Sequence, residues 1–305
     1  MATRNDGYGT IHRHAMYDLL AQVTEITAGK SHHGANSKPD HRGQNLLLKE
    51  ILNPSINHDY FTEDDFLKYS TIWIRRNYES NYNMSVVNVT SPAQHFHVLR
   101  RQIHRPFVKP LILLTSKWLH HHTFCKSNLH EMGPGTWFRR LITEKSRANN
   151  MATQQGGRKR FPLADHVNKI IFCSGKIYYE LYHARTRKMK HASTALERTT
   201  ASQISLVRLE QLAPFPMDRV AFAVNNHPTA DVVWCQEEPK NQGAWSFVQP
   251  RFKTALAYFY RGRPYMNDVP AVLQYVGRPV SATTAGGSFS EHVKEQRDLI
   301  ERALE

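Results

Sequence analysis

Cysteine is scarce. The 305 residues hold three, Cys125, Cys173 and Cys235, far apart and without a Cys-x-x-Cys pair. That spacing excludes a disulfide framework, argues against a zinc site, and predicts three buried thiols in a reducing compartment. Long hydrophobic runs are also missing: the most apolar stretch, Pro110–Thr115, is strand-sized, well short of the roughly 18 consecutive apolar residues of a membrane helix. A dinucleotide fingerprint is absent, because Gly175, Gly243, Gly277, Gly286 and Gly287 form no Gly-x-Gly-x-x-Gly after a strand. Carboxylates are the last deficit. There are 26 Asp and Glu against 40 Lys and Arg, which gives a net charge of +14 with 18 histidines besides. Residues 1–160 carry 22 basic and 12 acidic groups, and residues 161–305 carry 18 and 14, so the excess lies in the first half. Such a field attracts polyanions. The bland alternative is an ordinary basic protein of the mitochondrial matrix.

What is present is enough for roughly two domains, with apolar residues at 40% and charged residues at 22%, a balance that rules out wholesale disorder. The first eighty residues are rich in Asn, His and Thr. Helical stretches are predicted at His14–Thr27 and Asn45–Asn53 around a polar loop, and a third from Thr62, an N-cap followed by Glu63, Asp64 and Asp65, to about Arg76. The start is acid-poor, with Arg4 and Arg13, and no cleaved targeting peptide is evident after Met1.

From Ser85 strands and helices alternate. Strands are expected at Ser85–Val89 and Leu111–Thr115 around a helix Ala93–Ile103, closed by a Gly/Pro turn at Gly133–Thr136. Beyond a polar stretch the order is strand Lys169–Ser174, helix Ile177–Met189, strand Ile204–Leu209, helix Met217–Asn225, strand Asp231–Gln236, helix Trp245–Tyr258, strand Val272–Val276 and helix Ser290–Leu304. This spacing calls for right-handed crossovers and a mostly parallel, doubly wound α/β sheet covered on both faces.

Three phrases are specific enough to carry a resemblance: Val207–Pro216 (VRLEQLAPFP), Trp234–Trp245 (WCQEEPKNQGAW) and Tyr275–Pro279 (YVGRP). With Thr90–Gln94, Phe96–Gln102, Lys109–Ile112, Met132–Thr136 and Phe172–Tyr179, they resemble the C-terminal part of the 2-oxoglutarate dehydrogenase family, thiamine-diphosphate-dependent decarboxylating enzymes, over about residues 85–305. The resemblance implies a fold: a remnant of a transketolase-like pyrimidine-binding domain at 85–144, a basic insertion at 145–165 and a doubly wound transketolase C-terminal-like α/β domain at 166–305, behind a divergent, mostly helical extension at 1–84. Further insertions are implied at Lys188–Ser202 and Tyr260–Ala271.

The family holds the cofactor diphosphate through magnesium on a Gly-Asp-Gly and Asn constellation, in a domain that would precede residue 85. The lone Asp6-Gly7 lacks that context. The glutamate that protonates the aminopyrimidine is not assignable either, since Glu25, Glu50, Glu63 and Glu79 lie in segments without a family match. The expectation is therefore a truncated, non-catalytic derivative with no cofactor and no metal; thiamine diphosphate and magnesium enter only if a second chain completes the site.

Candidate residues are weighed in that frame. His97 matches the family's active-site histidine and reads as a relic held by packing. Arg100 and Arg101, in the same motif, read first as structural pairing. His120, His121 and His122 might suggest a metal, but consecutive positions on a helix would point about 100° apart and could not all converge on one ion. Glu237 and Glu238 suggest an acid-base pair, but the resemblance implies loop and interface support. Candidates for nucleic-acid contact are Arg139, Arg140, Lys145, Arg147, Arg158, Lys159, Arg160, Arg185, Arg187, Lys188 and Lys190, which cluster at the first two insertions. The functional expectation is an accessory structural subunit of a large mitochondrial assembly in the matrix, first the mitochondrial ribosome with rRNA and protein partners. The alternatives are one part of a split 2-oxoglutarate dehydrogenase, a respiratory-chain subunit, or an adaptor of the intact dehydrogenase complex.

Overall fold

The computed structural model describes residues 82–144, 166–260, 273–284 and 286–305. The helices expected at His14–Thr27, Asn45–Asn53 and Thr62–Arg76, the basic stretch 145–165 and most of the insertion expected at Tyr260–Ala271 lie outside the described residues.

Strand β1 (Ser85–Asn88) is followed by helix α1 (Pro92–His104) and strand β2 (Leu111–Leu114), which pairs parallel with β1. Helix α1 starts where Ser91 offers its hydroxyl to the Gln94 amide and Pro92, which has no N–H to satisfy, takes the first turn. Its inward face carries Ala93, Gln94, His97 and Val98. A short helix α2 (Lys117–His121) and a 3-10 turn (Leu129–Met132) lead to strand β3 (Leu141–Ile142).

The chain then passes into β4 (Lys169–Cys173). It continues through α3 (Ile177–Lys190), α4 (Ala195–Ser202), β5 (Ile204–Leu209), β6 (Gln211–Ala213), α5 (Met217–Asn225), β7 (Asp231–Pro239), α6 (Trp245–Tyr260), β8 (Gln274–Arg278) and α7 (Phe289–Ala303). The larger sheet has the order β3-β5-β4-β7-β8, parallel except for β3, while the smaller sheet is β2-β1-β6 with β6 antiparallel.

Strand β4 shows why the large sheet is covered on both faces. Ile170 and Phe172 pack with Val232, Trp234, Val220 and Phe252, which places α5 and α6 on one side. Ile171 and Cys173 pack with Ile177, Leu181, Leu299 and Ala303, which places α3 and α7 on the other. Burial on both faces replaces the alternation of a half-exposed strand by a continuous apolar run. Each fully buried Ile or Phe adds roughly 1.5–3 kcal/mol to that core.

Most expected elements lie within two residues of their observed bounds. Four were not anticipated: α2, β3, α4 and β6. Helix α4 occupies much of the segment read as an insertion at Lys188–Ser202, and its start carries a capping box: Thr194 accepts from the Glu197 amide and Glu197 returns to the Thr194 amide. The cysteine expectation needs one correction. Cys173 and Cys235 are fully buried, whereas Cys125 is partly exposed, its thiol donating to the Thr90 carbonyl at 3.4 Å.

Candidate functional site

The order of the large sheet contains a reversal. From β4 the chain moves to β5 on one side, then returns through α5 to β7 on the other, so the carboxyl ends of β4 and β7 flank a topological switch point. Open α/β sheets bind ligands at such crevices. The residues there are Ser174, Gly175 and Lys176 after β4 and Glu237 at the end of β7.

Lys176 Nζ lies 2.7 Å from Glu237 and 3.5 Å from Glu180, one helical turn away on α3. Gln296 of α7 donates to Glu180 at 2.7 Å and to Glu237 at 3.4 Å. Arg278, closing β8, donates to the Glu237 carbonyl at 2.8 Å and to Gln296 Oε1 at 3.0 Å, and pairs with Glu295 at 2.9 Å. His292 Nδ1 accepts from the same guanidinium at 3.0 Å. Cations and carboxylates are thus matched among themselves, fastening α7 to β7 and β8. Glu237 and Glu238 both belong to β7, and the Glu237 carboxylate pairs with Lys176.

Burial, and next the Glu237 charge, hold the Glu180 carboxyl above its ordinary value of 4.5. The folded chain therefore binds this proton more tightly than the unfolded chain does. The resulting stabilisation is complete below 4.5 and disappears as pH rises through the raised value. Glu180→Gln, which keeps an acceptor for Gln296, should accordingly gain stability relative to the unmodified chain as pH rises from about 4 to 7. Urea unfolding at several pH values reads this, and equal slopes would contradict it.

Gly175 has φ +77°, and a Cβ there would come within 2.6 Å of Asn88 Nδ2, at the end of β1. Gly175→Ala combines a left-handed backbone with displacement of a side chain that belongs to the smaller sheet. A loss of about 2–3 kcal/mol is expected. Thermal unfolding measures it; a loss below about 0.5 kcal/mol would mean that this turn is free to rearrange.

A second group lies where the two sheets meet. The chain passes from β5 in the large sheet to β6 in the small one through a single residue, Glu210. Its carboxylate accepts from the Thr90 amide at 2.8 Å and from the Thr90 hydroxyl, and that hydroxyl accepts from Arg208 at 2.9 Å. The Thr90 carbonyl receives the Tyr179 hydroxyl at 2.7 Å. Burial raises the Glu210 carboxyl, opposed by Arg208 and the Thr90 bonds. Nearby, Arg140 grips buried Asp218 with two parallel bonds of 3.0 and 2.6 Å.

His97 is buried at 2% exposure, its Nε2 2.7 Å from the Glu131 carbonyl. A carbonyl only accepts, so Nε2 carries the proton. Nδ1 is buried without a hydrogen-bond partner among the described residues. The His120–His122 run divides: His120 and His121 end α2, while the His122 ring packs on Trp118 at 3.9 Å, Tyr179 at 4.8 Å and His183 at 5.7 Å. Burial and then mutual repulsion lower the His122 pKa.

Two nucleic-acid candidates are corrected. Arg185 is 3% exposed and holds Glu144 with two bonds of 2.6 and 2.7 Å, so it is a core residue. Arg140, paired with Asp218, is likewise turned inward. Arg139, Arg187 and Lys190 are on or near the surface, and Lys188 donates to the Leu304 carbonyl at 3.4 Å. Lys145, Arg147, Arg158, Lys159 and Arg160 lie outside the described residues. Sequence reasoning missed Lys176, Arg278 and Gln296. Two of them stand in the family phrases, but their partners come from α3, β7 and α7, and no linear spacing reveals that.

Among the described residues no three His, Cys, Asp or Glu side chains converge as metal ligands. The carboxylates of Glu144, Glu180, Glu210, Asp218 and Glu237 are engaged by Arg185, Lys176, Thr90 and Arg140.

Comparison with known proteins gives one family model, described as 2-oxoglutarate dehydrogenase C-terminal, which matches residues 126–304. Proteins described as the 2-oxoglutarate dehydrogenase E1 component from Brucella anthropi, Brucella abortus and Brucella ovis are each 37% identical over 222 residues. Each match covers 73% of this chain and 20% of the relative, so the matching region spans about one fifth of those proteins.

Proposed function

The chain belongs to the 2-oxoglutarate dehydrogenase C-terminal family, and from that membership we propose that it serves as a non-catalytic structural subunit of a large assembly. The assembly proposed first is the mitochondrial ribosome, where basic surface groups would meet rRNA. One observation carries the architectural reading. The charged groups at the switch point and at the sheet junction are engaged with one another, so this region has the character of a braced frame and not of an open catalytic cleft. The net charge of +14 supports a polyanionic neighbour.

Tagged chain expressed in its own cells should co-sediment with ribosomal subunits and cross-link to RNA. Sedimentation free of ribosomes, with no RNA recovered, would refute the ribosomal reading.

A second reading is favoured by His97. Its position matches the family's active-site histidine, and its buried Nδ1 has no partner among the described residues. In that reading the chain is one part of a divided 2-oxoglutarate dehydrogenase, and a second polypeptide brings thiamine diphosphate. Purified complex would then contain thiamine and decarboxylate 2-oxoglutarate, with activity lost in His97→Ala. A thiamine-free complex would dismiss it.

A further inference from the structure

The positive excess is narrower than the division at residue 160 suggests. Residues 1–81 hold nine Lys and Arg against ten Asp and Glu, while residues 82–144 hold eight against two, Glu131 and Glu144. Glu144 is bound to Arg185. The smaller sheet and its helix are therefore the carboxylate-poor part of the described protein.

Within it, Arg101 has no counter-charge among the described residues. Its guanidinium stacks over Phe138 at 4.2 Å, and both Nε and Nη2 are buried without a hydrogen-bond partner among those residues. Burial first, and then the like charges of Arg105 and Arg140, bring its pKa down to about 9, opposed only by Tyr82. Arg140 already holds Asp218, and Arg105 donates to neutral oxygens, Tyr82 Oη at 2.9 Å and Ser85 Oγ at 3.3 Å. A buried guanidinium surrounded by like charge lacks the acceptor that would offset its desolvation.

Exposed aromatic rings are carried by the same two segments, α1 and 136–140. Trp137 is 61% exposed beside exposed Arg139, and Phe96 is 43% exposed under the Arg100 guanidinium at 5.4 Å. The 136–139 segment runs along α1, because Arg100 donates to the Thr136 carbonyl and Gln94 accepts from the Arg139 amide at 2.8 Å. Cations that track a phosphate backbone, interleaved with flat rings that accept any base, are the two parts of a single-strand platform. An acidic protein partner would use the cations and leave the rings unexplained.

We propose that the edge formed by α1 and Thr136–Arg140 binds single-stranded RNA, with Trp137 and Phe96 stacking on bases and Arg101, Arg105 and Arg139 holding phosphates. This deepens the polyanion reading above, on which it rests, by naming the surface. Of these residues only Arg139 is among the nucleic-acid candidates read from the sequence.

The test is fluorescence anisotropy of a labelled oligouridylate with the full chain, at low and at physiological salt. Trp137→Ala, an exposed site whose loss leaves the core intact, should weaken binding about tenfold or more. Arg101→Gln and Arg139→Gln should each reduce the slope of log affinity against log salt by about 0.7. Unchanged affinity in all three variants would overturn the proposal, as would binding of an oligo-aspartate peptide at this edge without binding of RNA. Co-sedimentation with ribosomes but no oligouridylate binding overturns this surface and leaves the assembly reading standing. Oligouridylate binding that is lost in Trp137→Ala, without co-sedimentation, supports this surface and refutes the ribosomal assembly.

Discussion

Glu210→Ala should lower the stability of the protein by about 3–5 kcal/mol, in the range found when one partner of a buried charged network is removed. The substitution deletes the acceptor for two Thr90 donors and the counter-charge of Arg208, whose guanidinium donates to the Thr90 hydroxyl. The Thr90 donors gain no access to water in exchange, because Glu210 and Thr90 are both at 0% exposure. The site is also where the two sheets are joined: the Glu210 carbonyl accepts from the Asn88 amide at 2.8 Å, and its own amide donates to the Arg140 carbonyl at 3.0 Å. Loosening it frees β1 from β6 as well as removing a charge.

For a region of this size the melting temperature should fall by roughly 10 °C. Glu210→Gln, which keeps an oxygen for the Thr90 amide, should cost less than half as much. Replacing Arg208 and Glu210 together by Met should restore most of the loss, since no charge is then left buried alone. Equal stability of Glu210→Ala and the unmodified chain in urea would mean that the junction does not join the sheets energetically.

This junction also marks the limit of what the sequence discloses. The apolar runs Lys169–Cys173 and Ile204–Leu209 announce themselves as strands because both faces are buried, and the observed bounds agree closely. Strands of two or three residues, such as β3 and β6, are shorter than any periodicity window, and their pairing follows from the tertiary fold alone. The capping box Thr194-x-x-Glu197 was legible in principle, and helix α4 follows from it. Glu210 stands inside a recognisable family phrase, but its partner Thr90 is 120 residues away. Arg185 looks like one of a run of surface cations until α3 turns it inward onto Glu144. A charge run reports composition, and only the helix face decides which of its members reach solvent.

The other large effect is expected at Trp234, the indole that anchors both β7 and the loop beyond it. At 1% exposure it packs with Phe172, Val220 and Phe252, its ring centroid 6.4 Å from that of Phe252. Truncating a buried Trp to Ala costs about 3–5 kcal/mol through lost transfer energy and the cavity left behind. Its Nε1 has a separate role, donating to Gln236 Oε1 at 2.9 Å. That bond orients the Gln236 amide so that its nitrogen meets the carbonyls of Glu238, Pro239 and Gln242 at 3.2, 3.1 and 2.7 Å. One side-chain amide thereby closes the turn that sets Glu237 opposite Lys176. The two contributions separate by substitution: Trp234→Phe keeps most of the ring volume but leaves Gln236 Oε1 without its donor, a loss of about 1–3 kcal/mol. Hydrogen exchange should then rise at residues 236–243 in Trp234→Phe while β4 and β5 stay protected, whereas Trp234→Ala should raise exchange throughout the large sheet. Protection at 236–243 unchanged in Trp234→Phe would show that the turn holds itself, independent of the indole donor.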